Sequence, residues 1–453
     1  MWLIKDYLNC RKLVGSRGSY QHPDNPTKEE LAKLSAFVRT HYPEPKDKDK
    51  ILHDLMTSGQ YNLIDEYKVE VNIKEGLHKT IIPCINVRDA RIMDSILEKH
   101  PNLLRSGLWG MGILKYMPEP ATEAETDIKS PIIITKFEPF QASNINFSDF
   151  CAKRKEFSLA EWIDVLINTI GLNPEVYTQR TKLILLSRLI TLVEGNTNLM
   201  ELGPKATGKT YLYRNISFYT RIISGGRVSP AVLFYNIAAR TFGELAAKDC
   251  VVFDEISRIS FSNPDEMMGK MKDYMVDGHF ERGLKKAHST CSLNFTGNVE
   301  VEGEVPIEEF ANVLPEFLRK DSAFVDRIHG FIPGWELPKI MQSEIHLSKN
   351  YGFVNDYFCE ILHELRKQDF QIHITKDVEL SSDEKVTIRD EKAIKKTAAG
   401  LLKVLCPNDE FGDDELKLCM DIAIEYRQRV ADWLHKLSPG EFKRKHFRYK
   451  IIG

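Results

Sequence analysis

No stretch of this sequence is apolar for long enough to cross a bilayer. The most hydrophobic run, Leu183–Val193, is interrupted by Arg188 and falls well short of the roughly 20 residues a span needs. Clustered cysteines are also missing: the eight present (10, 84, 151, 250, 291, 359, 406 and 419) are scattered singly with no C-x-x-C. That spacing argues against a zinc knuckle or a disulfide framework and for a reducing compartment. Neither sign of charge dominates, with 62 Lys+Arg against 65 Asp+Glu and a net charge of −3, so any contact with nucleic acid must come from basic residues gathered locally. Met1-Trp-Leu-Ile-Lys5 is charged too early for a signal peptide. These absences together predict a cytoplasmic protein with no membrane partner. At 453 residues, 42% hydrophobic and 28% charged, the chain has ordinary globular composition but is too long for one core, and two to four domains are expected.

What is present centres on Asn198–Asn215, where an apolar strand runs into a glycine-bounded loop and then a helix. The loop reads Gly203-Pro204-Lys205-Ala206-Thr207-Gly208-Lys209-Thr210, a full G-x-x-x-x-G-K-[ST]. Its glycines let backbone N–H groups turn inward around phosphate oxygens, and the helix N-terminus adds its positive dipole end. Lys209 supplies a charge for the β- and γ-phosphates, and the Thr210 hydroxyl completes a Mg²⁺ shell. ATP and Mg²⁺ are therefore the expected substrate and cofactor.

The spacing of apolar residues predicts an α/β multidomain chain. Residues 1–145 read as a β-rich N-terminal domain. A helix start at Asn25-Pro-Thr27 is followed by period-two alternation from Tyr67 to Ile73, a turn at Glu75-Gly76 and a returning strand. Asp89–His100 reads as a helix, Gly107–Tyr116 as a strand, and Pro118–Pro131 as a linker. Residues 146–335 read as the nucleotide core. Ser158-x-x-Glu161 is a capping box, and Asn173-Pro174 caps a second helix reaching about Val193. A strand near Thr220–Ser224 ends at a Gly225-Gly226 turn, and Ser229-Pro230 opens a helix to about Ala239. Residues 336–453 read as helical, with apolar periodicity in Tyr351–Leu365, Arg389–Leu405 and Asp414–Leu437. Stacking with phosphate contact is one reading of the basic, aromatic tail Phe442–Lys450, and a solvated terminus is the one expected.

Three further positions carry chemistry. Cys250-Val-Val-Phe-Asp254-Glu255 is a buried strand ending in two carboxylates, Asp254 for the Mg²⁺ and Glu255 as general base. The strand Thr290–Thr296 ends in Gly297-Asn298, which sets an amide beside the phosphate loop to orient the attacking water. Arg327, after a helix in Phe317–Gly330, is the candidate for a finger acting in trans on a neighbouring subunit. An ion pair with Asp326 or Asp321 is the plain alternative for it, and Arg319 the alternate finger. Between the last two strands a β-hairpin is expected with a basic tip of Arg282, Lys285, Lys286 and His288.

This ordered set resembles an AAA+ ring ATPase: a P-loop α/β core with a pre-sensor β-hairpin and a C-terminal helical lid. NLMELGPKATGKT, SGGRVSPAVLFYN, VVFDE, MKDYM-x-x-G-x-F-x-R-G, F-x-GN, DRIHGFIPGWE and RDEKAIKKTAAGLLK together resemble the Lon-like ATPase family of BREX phage-exclusion systems (BrxL). FSLAEWIDVLINTIGLNP and GQYNLIDEYKVEV extend the likeness upstream, so that it covers the chain from about residue 40. The resemblance implies an ATPase forming homohexamers or stacked dodecamers, double-stranded DNA as partner, and antiviral defence alongside other BREX proteins. It also implies a lid cation at the nucleotide, for which Arg389, Lys395 and Lys396 are the candidates. Longer members continue beyond HFRYK into a Lon-type protease domain. This chain stops at Gly453 with no G-x-S-x-G or H-E-x-x-H, so peptide hydrolysis is not expected of it. A protein-remodelling unfoldase with Phe242-Gly243 as pore loop, and an assembly switch on DNA, remain as alternatives to a DNA translocase or clamp.

Overall fold

The computed structural model describes residues 28–452 except 74–75, 106, 119–129, 141–144, 304 and 307–309. The helix start at Asn25–Thr27 and most of the Pro118–Pro131 linker lie outside the described residues. The chain divides into two compact units, Met1–Ile145 and Asn146–Gly453.

In the first unit, the helices Lys28–His41 and Lys48–Ser58 precede five strands: β1 (Gln60–Asn72), β2 (Leu77–Ile82), β3 (Val87–Ile92), β4 (Leu108–Tyr116) and β5 (Ile132–Pro139). They close into a barrel in the order β1-β2-β3-β5-β4, with β4 returning to β1 and β3 running parallel to β5. This is the connectivity of an OB-type barrel. Alternation does the sorting, since Tyr67 and Val69 point into the core while Lys68 and Glu70 face water. Tyr67 fills the centre and donates to the Leu63 carbonyl at 2.9 Å. The helix expected over Asp89–His100 is shorter, Asp94–Lys99. Ala90 and Ile92 belong to β3 and are buried in the barrel, and Pro101 stops the helix.

The second unit is built on five strands: β6 (Asn198–Gly203), β7 (Thr220–Val228), β10 (Cys250–Phe261), β13 (Ser292–Asn298) and β16 (Gly330–Pro333). They form a parallel sheet in the order β16-β6-β13-β10-β7. Every residue of β6 is buried, as a strand covered on both faces requires. Because all five strands run the same way, their C-terminal ends meet along one edge, and the candidate site is assembled there. Two small hairpins join the core, β8 (Tyr235–Asn236) with β9 (Thr241–Phe242) and β11 (His279–Arg282) with β12 (Lys285–His288). A short pair, β14 (Val301–Glu302) and β15 (Val305–Pro306), follows β13.

Several local expectations change. Gly225 and Gly226 do not end their strand: they take φ of +60° and +78°, and β7 continues through them to pair Gly226 with Ile259 beyond a bulge. The helix opened by Ser229 stops at Leu233, because the chain turns into β8. Asn173 caps only a 3₁₀ turn; Thr178 then caps Gln179–Ser187, and Ile190–Val193 follows separately. The helix expected before Arg327 is two short ones, Glu316–Arg319 and Ser322–Val325, the second capped by Asp321. The helices Asn355–Leu365, Ile388–Leu405 and Asp413–Leu437 form where periodicity placed them. The tail is not a solvated terminus, for β18 (Phe447–Ile451) pairs antiparallel with β17 (Val378–Ser382) and buries Phe447.

Glycine positions give a test of opposite sign. A Cβ on Gly112 would lie 2.4 Å from the Tyr67 hydroxyl, whereas one on Gly269, in the helix Pro264–Asp277, meets nothing within 4 Å. Gly112→Ala is expected to destabilise the barrel by about 1–3 kcal/mol through overpacking. Gly269→Ala is expected to stabilise its helix by about 0.5–1 kcal/mol. Thermal melting of the full chain, with the two variants shifting the same way, would contradict this packing.

Candidate functional site

The phosphate loop is held from beneath. Arg188 and Glu201 form a two-pronged ion pair, Nε to Oε2 at 2.9 Å and Nη2 to Oε1 at 2.7 Å, with both side chains almost wholly buried. Such a pair is stable in the interior only when its remaining donors are satisfied. Here both guanidinium Nη atoms also donate to the Thr207 carbonyl at 3.1 Å, in the middle of the loop. From above, the Ile340 N–H donates to the Ala206 carbonyl at 2.8 Å. Gly203 is obligatory, since a Cβ there would come within 2.4 Å of the Gly334 carbonyl carbon. Ala206 and Gly208 take φ of +66° and +77°, which turns the chain into the helix Lys209–Ile216. Pro204 and Thr207 are buried within the loop, and Lys205 is exposed at its crest.

Lys209 folds back under this loop, its Nζ donating to the Gly203 and Pro204 carbonyls at 2.9 and 2.8 Å. Burial, reinforced by Arg188 and opposed by Glu201 and Asp254, pulls its pKa down to about 8. Asp254, 7% exposed, accepts from Thr210 Oγ1 at 2.8 Å, Ser224 Oγ at 2.9 Å, Thr296 Oγ1 at 2.7 Å and the Glu255 N–H at 3.1 Å. Burial alone would raise its pKa, but these donors outweigh it and hold the carboxyl below the ordinary range. Glu255 stands next to it at φ +50°, a strained backbone for a non-glycine residue, and pairs with Arg258 at 2.9 Å. Asn298 lies opposite Gly203 in the β13–β6 register, beside the phosphate loop.

The Thr210 hydroxyl and the Asp254 carboxylate suit Mg²⁺, which usually takes one or two protein oxygens and fills its shell with water and substrate phosphates. Among the described residues no group of three or more His, Cys, Asp or Glu forms a closed metal cage.

The arginines lie elsewhere. Arg327 sits at the opposite end of the sheet, where its carbonyl accepts from Asn198 Nδ2 at 3.2 Å. Asn198 and Gly203 are the two ends of β6, five steps or roughly 16 Å apart, so Arg327 does not reach its own phosphate loop. Neither ion pair of the alternative reading, Arg327 with Asp326 or with Asp321, forms. Asp326 pairs with Arg389 and Arg427, and Asp321 pairs with Lys272. Arg389 is thereby a correction as well: its guanidinium bonds Asp326 at the same far end and does not stand over the loop of its own chain. Lys395 pairs with Glu391 at 2.5 Å, and Lys396 donates to the Asn196 carbonyl at 3.0 Å, so neither faces the phosphates. Arg319 donates to the Leu314 carbonyl.

In the hairpin, Lys285, Lys286 and His288 are exposed and Leu284 at the turn is fully so, but Arg282 is half-buried and donates to the Tyr235 carbonyl. Arg282 borders the Gly283–Leu284 turn but is tied down to β8, so its charge is not free at the tip, and His288 pairs with His279 at the hairpin base rather than at its tip. Sequence reasoning missed Ser224, Thr296, Arg188 and Glu201. The first two follow short apolar stretches within β7 and β13, and Arg188 is the one charge inside the most apolar stretch; each is a usable signal.

A parallel sheet carrying a G-x-x-x-x-G-K-T loop, with a buried acid and an amide on the adjoining strand ends, defines a P-loop nucleotide-binding domain. The comparisons narrow that class. Residues 132–448 match the family described as Lon-like protease BrxL-like, ATPase domain, and residues 13–116 match the BREX system Lon protease-like protein BrxL N-terminal family. The chain belongs to the BrxL family. It is 33% identical over 428 residues to the Lon-like protease BrxL of Escherichia coli O9:H4 (strain HS), covering 94% of this chain and 60% of that one. It is 34% identical over 418 residues to the Lon-like protease BrxL of Bacillus cereus (strain H3081.97), covering 92% and 60%. The chain therefore spans about three-fifths of the length of these curated relatives. No helix among the described residues is long and apolar enough to cross a membrane.

Lys209 generates a pH test. With its pKa near 8, it is largely charged at neutral pH and largely neutral above pH 8 in the nucleotide-free protein. Phosphates favour the charged form, so binding must take up protons as pH rises: roughly half a proton at pH 8 and more at pH 9. Calorimetric titration with nucleotide in buffers of different ionisation heat measures this directly. No uptake at either pH would contradict the burial of Lys209.

Proposed function

We propose that this chain is the ATP-hydrolysing AAA+ part of a ring that encloses duplex DNA in BREX defence, with Arg327 completing the site of the neighbouring subunit. Counted along the chain, β6, β7, β10, β13 and β16 stand in the sheet order 5-1-4-3-2, which fits the AAA+ core of the resemblance. In this reading the loop Gly203–Thr210 cradles the phosphates, Lys209 moves from its own carbonyls onto them, and Thr210 with Asp254 holds Mg²⁺. That ion would draw charge from the β- and γ-phosphate oxygens. Glu255 takes the proton of the attacking water, oriented by Asn298. To do so it must leave Arg258, and because both partners are partly exposed that release costs only about 0–1 kcal/mol. The helices of residues 336–453 serve as the lid.

The observation that carries the DNA reading is the insertion point of the hairpin. β11 and β12 lie between β10, which bears Asp254 and Glu255, and β13, which ends in Asn298. A nucleotide-dependent shift of either strand therefore moves Lys285 and Lys286. The OB-type barrel of the first unit suits the same partner, since such barrels commonly bind nucleic acid. The unfoldase alternative rests on Phe242, half-exposed but with its ring packed on Tyr235 at 5.4 Å between centroids.

Lys209→Ala is expected to lose nucleotide binding. Glu255→Gln is expected to keep binding while turnover falls on the order of 10²–10⁴-fold; wild-type turnover in either would contradict the site. Lys285→Ala/Lys286→Ala should weaken retention of duplex DNA and flatten its salt dependence, by roughly one unit of log–log slope for each phosphate no longer neutralised. Gel shifts across a salt series that match wild type in affinity and slope would remove the hairpin from the DNA interface.

A further inference from the structure

We propose that Arg258 is a positioning residue for the general base: its ion pair holds Glu255 off the attacking water until phosphates of bound DNA draw the guanidinium away. The inference rests on the reading of Glu255 as the base and of duplex DNA as the partner, and adds the contact that joins the two.

The pair is set in a bulge. β7 and β10 stay in register as far as Ser224 and Asp254, and pairing resumes at Gly226 and Ile259. Residues 255–258 of β10 therefore stand opposite Gly225 alone, and a Cβ on Gly225 would lie 3.9 Å from that of Arg258. Ile256 and Ile259 are buried and pin the bulge to the core. A Cβ on Gly297, the residue before Asn298, would lie 3.7 Å from Ile256, so the bulge packs beside the strand end that bears the amide. Bulges re-aim side chains next to active sites. This one turns Glu255, at φ +50°, and Arg258 toward each other, with Nη1 2.9 Å from Oε2.

Stability does not account for the contact. The Arg258 side chain is 69% exposed, and a pair so open to water contributes little to folding. What it fixes is the direction of one carboxylate. Among the described residues Arg258 is the one side chain that bonds the Glu255 carboxylate, and Glu255 is the one carboxylate that pairs with Arg258. Each therefore sets where the other points.

The surroundings suit a phosphate as the competing anion. Arg227 stands exposed on the adjoining strand, in register with Ser260, and among the described residues no carboxylate pairs with it. Two guanidinium groups on neighbouring strands offer a phosphate more charge and more donors than Glu255 alone receives from Arg258. Both strands also run on into the segments proposed to meet DNA. β7 passes through the helix Pro230–Leu233 into β8, to which Arg282 ties the basic hairpin, and β10 passes through Pro264–Asp277 into β11. A weak, exposed pair on that path yields readily to a polyanion. Nucleotide would then bind with or without DNA, but Glu255 would be free for the water only with it.

Steady-state ATPase of the full chain, with and without duplex DNA and with DNA binding measured in parallel, tests this. Arg258→Ala is expected to raise kcat without DNA about two- to fivefold, as loss of a partly exposed pair allows, and to leave KM for ATP unchanged. DNA should stimulate wild type and add nothing further to Arg258→Ala. Arg258→Lys, which keeps the charge, should restore the restraint. A DNA-free kcat in Arg258→Ala at or below that of wild type overturns the inference. A raised DNA-free kcat that DNA still stimulates in full, or a wild-type rate unchanged by DNA that is bound, overturns release by phosphate. Failure of wild type to bind DNA at all means that the proposed partner is wrong, and the DNA-free kcat of Arg258→Ala then decides by itself whether Arg258 restrains Glu255.

Discussion

A buried carboxylate that accepts four hydrogen bonds ties together every segment that donates to it, and Asp254 is that group here. Thr210 comes from the helix after the phosphate loop, Ser224 from β7, Thr296 from β13, and the Glu255 N–H from Asp254's own strand. The donors keep Asp254 ionised despite its burial, and the ionised form aligns them. Three neighbouring strands and the phosphate loop are therefore fixed by one charge. The Arg188–Glu201 pair does similar work from below, passing the position of β6 to the Thr207 carbonyl. Together they leave little freedom where phosphates bind, as electrostatic preorganisation requires.

Most of the chemistry lies in short spans and was legible for that reason. The loop Gly203–Thr210, the Asp254–Glu255 strand end and Asn298 each declare themselves within a dozen residues, and a parallel sheet brings strand ends to one edge. Long-range partnerships were not legible. The Arg389–Asp326 contact spans 63 residues, and periodicity places Arg389 on a helix without saying which end of the sheet the helix crosses. Gly225-Gly226 reads as a turn because glycine favours turns, yet pairing with Ile259 carries β7 through it. The aromatic and basic tail reads as solvated because its partner, Val378–Ser382, is remote in sequence. The barrel was visible only as one hairpin and the strand Gly107–Tyr116, since its closure depends on β3 meeting β5 across the helix Asp94–Lys99 and β4.

In the proposed ring the site would have two halves, at opposite ends of the strands of one sheet. Phosphate-binding groups gather at the C-terminal ends of the strands, and arginines without a phosphate gather at the other edge. A single chain gives each half no counterpart, whereas a head-to-tail ring joins the arginine edge of one subunit to the phosphate edge of the next. In the same proposal the hairpin between the Asp254 and Asn298 strands would be the ring's cationic projection, with Arg282 holding its turn end to β8 and Lys285 and Lys286 as its exposed charges.

Electron microscopy of the Glu255→Gln protein with ATP and duplex DNA tests this shared seam most directly. The account predicts closed rings in which the Arg327 guanidinium of each subunit lies within hydrogen-bond distance of the γ-phosphate held by Gly203–Thr210 of its neighbour. Nucleotide-filled sites in which Arg327 still rests on its own Lys272 and Ala323 carbonyls, with no neighbouring arginine at the phosphates, would contradict it.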